Sequence, residues 1–157
     1  MPLDREAIST ALAVFDLSPG DLDPRIPPAL AHAGANHAVL ALNSRARLRA
    51  MQYDLQAGRR LMRALDVVTI MLLYAETDHL FHARNPFASS GIYEDPATGA
   101  AAAALGGYLR DLGWPHGGGL DIMQGADMGM PSRLRVDIPP ALAASIRVSG
   151  TTRLMQV

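Results

Sequence analysis

The feature that most constrains the fold is a stretch of small, uncharged residues at positions 97–107. Pro96 suits the first position of a helix and Gly113 suits its end, so we predict a helix over residues 96–112. A helix without a polar face has to be buried on all sides. Because small side chains let neighbouring strands approach closely, this pattern predicts a central helix wrapped by a strongly bent sheet.

The remaining elements are short, and together they predict an α+β fold. Apolar residues at helical spacing predict helices over residues 5–17 and 45–65. Ser149-Gly150 indicates a hairpin turn between two late strands. Strands and helices do not alternate regularly, so we expect a mixed, bent sheet or barrel in a single domain over residues 1–157. The runs with strand character lie at residues 37–42, 67–75, 80–87, 120–124, 133–138, 145–148 and 152–157.

Composition excludes several kinds of chemistry. All 14 basic residues are arginine, so no lysine is present for a Schiff base, a pyridoxal phosphate linkage or a phosphate-binding loop. Cysteine is absent, which excludes thiol nucleophiles, cysteine metal sites and disulfides and fits a cytoplasmic location. The formal net charge of −1 gives no broad basic surface, so we expect neither nucleic acid nor membrane as a partner.

Two further sets of residues are better explained by ordinary structure than by a binding site. Six arginines within residues 45–65 fit the solvated face of an amphipathic helix better than an anion site. The histidines do not form a metal-binding pattern, so no metal is expected. They stand at positions 32, 37, 79, 82 and 116.

The start of the central helix is the candidate site. The first backbone N–H groups of a helix have no partner within the helix and carry partial positive charge. Gly99 and Ala100 add almost no bulk there, so a carboxylate can approach their amides directly. Asp95 lies beside them and has two open interpretations. It is either an ordinary helix cap before proline, or a group that exchanges a proton or binds an ammonium.

Four motifs, in order along the chain, carry a resemblance to a known family. Residues 94–99 read E-D-P-A-T-G and resemble the motif of that sequence in the PhzF-like isomerases of phenazine biosynthesis. Residues 82–87 resemble the family's H-A-R-x-F strand, with one extra residue before the phenylalanine. Residues 124–133 are similar to its Q-G-x-x-M-G-R-P-S strand and loop, and residues 146–150 to its closing V-x-V-x-G hairpin.

The resemblance implies a diaminopimelate-epimerase-like fold, in which a bent sheet encloses a central helix. Family members have two such domains, bind substrate in the cleft between them, and transfer a proton without a metal or an organic cofactor. This chain resembles only the C-terminal half, so the N-terminal half is expected to be absent. By this resemblance Asp95 is catalytic, and the amides of Gly99 and Ala100 bind the substrate. The family commonly has serine where Ala100 stands.

The family's principal acid/base glutamate lies in an N-terminal E-T-x-F motif. Glu76-Thr77 echoes its first two letters, but the phenylalanine is missing and the position falls between two C-terminal strands. We therefore do not transfer the role to Glu76, and catalysis by this chain alone stays open.

The resemblance implies the C-terminal half of a PhzF-like isomerase or epimerase, which moves a proton on a small carboxylate-bearing metabolite without a cofactor. A separately encoded N-terminal half, or a second copy in a homodimer, is expected to complete it. The alternative is a non-catalytic module that binds a small anion or has a structural role.

Overall fold

The computed structural model describes residues 1–151, which fold into a curled mixed sheet with one helix inside the curl and three outside. The helices are α1 (Arg5–Val14), α2 (Arg45–Arg49), α3 (Leu55–Ala64) and α4 (Gly99–Leu112). The strands are β1 (Ala29–His32), β2 (Asn36–Leu42), β3 (Thr69–Ala75), β4 (Leu80–Phe87), β5 (Ile92–Asp95), β6 (Gly119–Gln124), β7 (Ser132–Asp137) and β8 (Arg147–Gly150).

The sheet has the strand order β1-β2-β3-β4-β6-β7-β8, and β5 pairs with the last residues of β4. The pairs β2–β3 and β4–β6 are parallel, whereas the other neighbouring strands are antiparallel. The sheet curls into a half-barrel around α4. The predicted α+β fold, with a strongly bent mixed sheet around a central helix, is therefore confirmed.

Helix α4 packs into the curl through its smallest residues. Ala101, Ala102 and Leu105 are fully buried in a core cluster built with the inner face of the strands. Gly106 marks the closest approach, because a Cβ atom there would lie 2.8 Å from Cγ1 of Val136. The small side chains therefore decide how tightly the sheet can wrap around the helix.

The enclosure of α4 is incomplete on one face. Gly107 and Tyr108 are only half-buried, and they line a cavity of about 420 Å³ together with His32 and Asn36. The prediction that this helix is buried on all sides is wrong on this face, because the sheet closes only half of a barrel.

The outer face of the sheet carries the other helices and larger side chains. Leu61 and Met62 of α3 join Leu40 and Leu72 of the strands in a second buried cluster. The helix begins where the sequence provides a cap, because the carboxylate of Asp54 accepts a hydrogen bond from the third backbone N–H that follows it. The two clusters lie on opposite faces of the same strands, as period-2 alternation requires.

The helix predicted over residues 45–65 is divided into α2 and α3. Between them, the guanidinium of Arg84 donates hydrogen bonds to the carbonyl oxygens of Arg49 and Met51, at 2.9 and 3.1 Å. These carbonyls are thus directed at a buried cation from another strand instead of at N–H groups one turn later. Apolar spacing cannot reveal such a contact, because it depends on a residue far along the chain.

Two other boundaries differ from the prediction. Helix α1 ends at Val14 rather than at residue 17, because Asp16 adopts a left-handed conformation with φ of 51°. Ser149 and Gly150 continue β8 and pair with β7, so the hairpin turn predicted there is wrong. The strand predicted over residues 152–157 lies outside the described residues. Within residues 1–151, none of the helices has the length and apolar character needed to cross a membrane.

Candidate active site

The link between β5 and α4 brings the predicted site residues together. Asp95 is the last residue of β5, Thr98 is the N-cap of α4, and Gly99 is its first helical residue. The helix therefore begins three residues later than Pro96, and the reading of Asp95 as its N-cap is wrong. The reason is that Asp95 still pairs with Asn85 in the sheet, which keeps its backbone extended.

The Asp95 carboxylate is only partly used by the protein. Its Oδ2 atom accepts a hydrogen bond of 2.6 Å from the hydroxyl of Thr98. Its Oδ1 atom has no hydrogen-bond partner among residues 1–151. The side chain is partly buried. One carboxylate oxygen thus remains available beside the start of α4.

Gln124 at the end of β6 fixes the link in place. Its side-chain oxygen accepts from the backbone N–H of Thr98 at 3.3 Å. Its Nε2 atom donates to the backbone oxygen of Asp95 at 2.7 Å and to the hydroxyl oxygen of Thr98 at 3.1 Å. Gln124 is fully buried, so these contacts are shielded from water. The side-chain amide of Gln124 therefore connects the end of β6 to the start of α4 through three hydrogen bonds.

Gly125 lets a second loop approach the link. Its φ is 78°, and a Cβ atom there would lie 2.9 Å from the backbone oxygen of Pro96 and would overlap the backbone oxygen of Met130. Only glycine fits this conformation and this contact. A cavity of about 280 Å³ lies against Pro96 and is otherwise lined by residues 129–132 of the second loop.

The start of α4 offers backbone donors. The first helical hydrogen bond runs from the N–H of Ala102 to the oxygen of Thr98, at 3.0 Å. Within the described part of the chain, no acceptor pairs with the N–H groups of Gly99, Ala100 or Ala101. Gly99 and Ala100 are exposed, and the position of a Cβ atom on Gly99 has no neighbour within 4 Å. Such a terminus favours an anion by about 0.3–1 kcal/mol when exposed and ~2 kcal/mol when partly buried.

The neighbouring carboxylate has a different role. Glu94 lies on the other face of β5, where its side chain is 3% exposed and forms a two-point ion pair with Arg84, at 2.9 and 2.6 Å. These hydrogen bonds and the charge of Glu94 raise the pKa of Arg84. Because both oxygens of Glu94 are occupied, this residue holds the strand and has no oxygen left for a ligand.

A second ion pair fixes the loop after β6. Asp127 accepts two hydrogen bonds from the guanidinium of Arg45, at 2.9 and 3.0 Å. Burial alone raises the pKa of Asp127, but the hydrogen bonds and charge of Arg45 outweigh it and lower the pKa below its ordinary value. The loop that borders the site is thus tied to α2.

Asn85 is a member of this region that the sequence analysis did not identify. It is fully buried, and neither its Oδ1 nor its Nδ2 atom has a hydrogen-bond partner within residues 1–151. The sheet places it directly opposite Asp95. The only signal in the sequence was its position inside the H-A-R motif of residues 82–87, which indicated a strand and not a polar contact.

Glu76 lies away from this site. It follows β3 at the hairpin that opens β4, whereas Asp95 pairs at the closing end of β4. Its carboxylate makes a hydrogen bond with Nε2 of His82. The decision not to give Glu76 the family's acid/base role is therefore consistent with its position.

Comparison with known proteins identifies relatives of this chain. Residues 2–156 match the family described as "Phenazine biosynthesis-like protein". An uncharacterized isomerase of Mesorhizobium japonicum is 42% identical over 74 residues, which cover 45% of this chain and 24% of that protein.

Solved structures share the fold. A protein described as a predicted epimerase from Pseudomonas aeruginosa has a TM-score of 0.74 at 25% identity, covering 99% of this chain and 55% of that one. A PhzF-family phenazine biosynthesis protein of Bacillus anthracis has a TM-score of 0.71 at 17% identity, covering 88% of this chain and 49% of that one. The chain thus spans about half the length of these structures, and the curated match spans 24% of that relative.

Proposed function

The chain belongs to the phenazine biosynthesis-like protein family, and we propose that it supplies one half of the active site of an isomerase or epimerase. In this proposal the chain corresponds to the C-terminal half of its relatives, since it aligns with 49–55% of the length of the similar structures. The substrate is a small metabolite with a carboxylate group, and the reaction moves a proton without a cofactor.

The observation that carries the proposal is that free backbone N–H donors of α4 lie beside the carboxylate of Asp95, which has one oxygen free among the described residues. The N–H groups of Gly99 and Ala100 lie at an exposed helix start, and Oδ1 of Asp95 beside them has no hydrogen-bond partner within residues 1–151. The amides would bind the substrate carboxylate by hydrogen bonding and by the helix dipole. The Asp95 carboxylate would then lie near the carbon or the polar group next to that carboxylate.

Asp95 is suited to a part in the proton transfer. A carboxylate accepts a proton when ionised and returns it when protonated, and positioned acid/base groups supply about 10²–10⁴-fold of rate. Thr98 donates to one oxygen of its side chain and Gln124 donates to its backbone oxygen, so the position of the residue on β5 is set before the substrate binds. Such preorganisation is required of a group that acts on a reacting atom.

An epimerisation that removes a proton from one face of a carbon and returns it to the other uses a second acid/base group on the far side of the substrate. The family resemblance places that group in the N-terminal half, so we propose that a second polypeptide completes the site. A second copy of this chain is the default partner, and a separately encoded N-terminal half is the other. The surface near the site suits association, because Ile92, Tyr93 and Met130 are large apolar residues that are 50%, 40% and 57% exposed.

The proposal is tested by isotope exchange. The full chain is incubated in heavy water with small carboxylic acids that carry a hydrogen next to the carboxylate, and deuterium incorporation is followed by mass spectrometry. We expect exchange that is lost in Asp95→Asn and retained in Glu76→Gln, a control at a carboxylate that lies away from the site. Binding without exchange would favour the anion-binding module, and exchange that persists in Asp95→Asn would refute the role of Asp95.

Association is tested separately by sedimentation. At micromolar concentration we expect a dimer, or a heteromeric complex when a candidate N-terminal half is added. A chain that sediments strictly as a monomer, alone and in the presence of that half, contradicts the proposed completion of the site.

A further inference from the structure

We propose that Asn85 is a positioning residue for Asp95, holding its carboxylate in the orientation that receives a hydrogen-bond donor on the ligand. This inference rests on the proposed function, because it concerns a ligand whose carboxylate lies on the N–H groups of α4. It adds to that function a second contact, through which the site selects acids that carry a hydroxyl or ammonium group.

The side chain of Asn85 is an uncompensated buried amide. It is 0% exposed, and both of its polar atoms lack hydrogen-bond partners among the described residues. Leaving a buried polar group unpaired lowers the stability of the folded state, because the group loses its hydrogen bonds to water and gains none. Most buried polar atoms are paired, so a chain that keeps this amide next to a candidate site indicates a use for it.

The strand register places the amide on the same face as Asp95. Phe81 and Ala83 of β4 face the inner core around α4, and Asn85 follows in the same alternation. Asn85 and Asp95 are direct partners in the antiparallel β4–β5 pair. Directly opposed residues have Cβ atoms about 4.5–5.5 Å apart, so the amide and the carboxylate are neighbours on this face of the sheet.

The available atoms are complementary. Oδ2 of Asp95 already accepts from Thr98, and Oδ1 is unpaired. A carboxylate that accepts a hydrogen bond at only one oxygen can rotate about its Cβ–Cγ bond. The Nδ2 group of Asn85 can donate a second hydrogen bond, to the Oδ1 atom. With both donors in place, the plane of the carboxylate is fixed, and its remaining lone pairs face the ligand.

Arg84 on the same strand gives a measure of what a purely structural polar group looks like. Its guanidinium is satisfied by Glu94 and by two backbone oxygens on the outer face. Asn85, the next residue, has none of these contacts on the inner face. Arg84 therefore stabilises the fold through hydrogen bonds, whereas the Asn85 side chain makes none within residues 1–151.

The experiment compares two acids that differ in one group. Lactate carries a hydroxyl that can donate to Asp95, whereas acetate has only the carboxylate. Each acid is titrated into the isotope-labelled full chain, and the backbone amide signals of Gly99, Ala100 and Ala101 are followed by NMR. The variants are Asn85→Leu, which keeps the volume and removes the amide, Asn85→Ala, and Asp95→Asn.

We expect Asn85→Leu and Asn85→Ala to weaken lactate binding about tenfold, the effect of losing one charge-assisted hydrogen bond, and to leave acetate binding unchanged. In the Asp95→Asn background, Asn85→Leu should cause no further loss. Because the amide has no hydrogen-bond partner within residues 1–151 of the ligand-free chain, the thermal midpoint of Asn85→Leu, measured without ligand, should not fall. A residue with a structural role alone would alter both acids equally.

Three outcomes overturn the inference. If lactate and acetate bind to the wild type and Asn85→Leu weakens both or neither, the inference fails while the proposed function stands. If the effect persists in the Asp95→Asn background, Asn85 does not act through Asp95. If neither acid perturbs the three amide signals of the wild type, the proposed function fails, and the inference fails with it.

Discussion

Glu94 and Asp95 are adjacent on β5, but they lie on opposite faces of the sheet in different surroundings. On the outer face, Glu94 is buried and both of its oxygens pair with Arg84. On the inner face, Asp95 is partly buried, and within residues 1–151 its carboxylate has one hydrogen-bond partner, the hydroxyl of Thr98. Two adjacent carboxylates thus differ in how many of their oxygens accept hydrogen bonds from the described part of the chain.

The difference extends to the elements behind each residue. The outer face carries three helices with large apolar side chains, and Arg84 also organises the break between α2 and α3. The inner face carries a helix of alanine and glycine whose first N–H groups are unpaired. Polar groups on the outer face therefore hold the fold together, whereas the inner helix start has N–H groups and a carboxylate oxygen without partners within residues 1–151.

The largest expected effect lies on the outer face. Glu94→Gln removes the charge that compensates Arg84, whose side chain is 9% exposed. Breaking a buried ion pair from one side costs about 3–5 kcal/mol, so we expect a loss of that size in the free energy of unfolding, measured with urea.

The control for this prediction is the double variant Arg84→Met with Glu94→Leu. Because neither charge then remains buried, the double variant should be more stable than Glu94→Gln, but less stable than the wild type because the hydrogen bonds of Arg84 to Arg49 and Met51 are also lost. If the single variant is as stable as the wild type, the ion pair does not hold the outer face, and the contrast between the two faces is lost.

The next effect tests the packing of the inner face with two adjacent glycines. An added methyl group at Gly106 meets Val136 and Ile146, at 2.8 and 3.1 Å, whereas at Gly107 it meets nothing within 4 Å. Gly107→Ala should stabilise the helix by about 0.5–1 kcal/mol. Gly106→Ala should be about 1–3 kcal/mol less stable than Gly107→Ala, because overpacking offsets the same gain.

Thermal and urea unfolding of the two variants measure this difference. Equal stabilities would mean that the sheet does not approach α4 closely, and that the small residues of the helix need another explanation.

Much of the inner face could be predicted from the sequence, because its signal is local. The small residues of positions 97–107 indicated an enclosed helix, and the E-D-P-A-T-G motif identified Asp95, Gly99 and Ala100 as neighbours. The structure brings these residues together at the link between β5 and α4. Local composition was sufficient for this, since the helix and the site lie in one continuous segment.

The rest depends on contacts between distant positions, which spacing does not encode. Arg84 reaches back 33 and 35 residues to Met51 and Arg49 and divides a helix that looked continuous. Asn85 is a candidate only because it pairs with Asp95 across the sheet and because its side chain has no hydrogen bond among the described residues. Neither property can be read from the spacing of residues in the sequence. The late start of α4 follows from the pairing of Asp95 in the sheet, which competes with capping and prevails.

A third prediction concerns pH and a buried base on the inner face. Burial, with a smaller contribution from the charge of His32, lowers the pKa of His37, whose Nδ1 atom lies 2.8 Å from the hydroxyl oxygen of Thr69. The unfolded chain therefore binds a proton more readily than the folded one. Stability should be fully present above the unfolded pKa of about 6.5 and fall as the pH drops below it, until the folded pKa is passed.

His37→Asn, which can keep the contact with Thr69, should reduce this loss of stability between pH 7 and pH 5. The matched control is His116→Asn. Burial and the charges of Arg110 and His79 also lower the pKa of His116, but this residue is only partly buried, so its substitution should change the pH dependence less. Urea midpoints at both pH values measure the effect. An unchanged pH dependence in His37→Asn would show that protonation of His37 does not oppose folding.

The smallest expected effect on stability is that of Asp95→Asn, the inner counterpart of Glu94→Gln. An asparagine oxygen still accepts from the hydroxyl of Thr98, and Gln124 contacts the backbone of this residue, which the substitution leaves in place. We therefore expect a change within about 1 kcal/mol, the difference between a charged and a neutral hydrogen bond. The same substitution should abolish isotope exchange, so activity and stability would separate at Asp95 and not at Glu94. If Asp95→Asn instead destabilises the chain as strongly as Glu94→Gln, both carboxylates have a structural role. The contrast between the two faces is then lost, because the carboxylate of Asp95 is not free for a ligand.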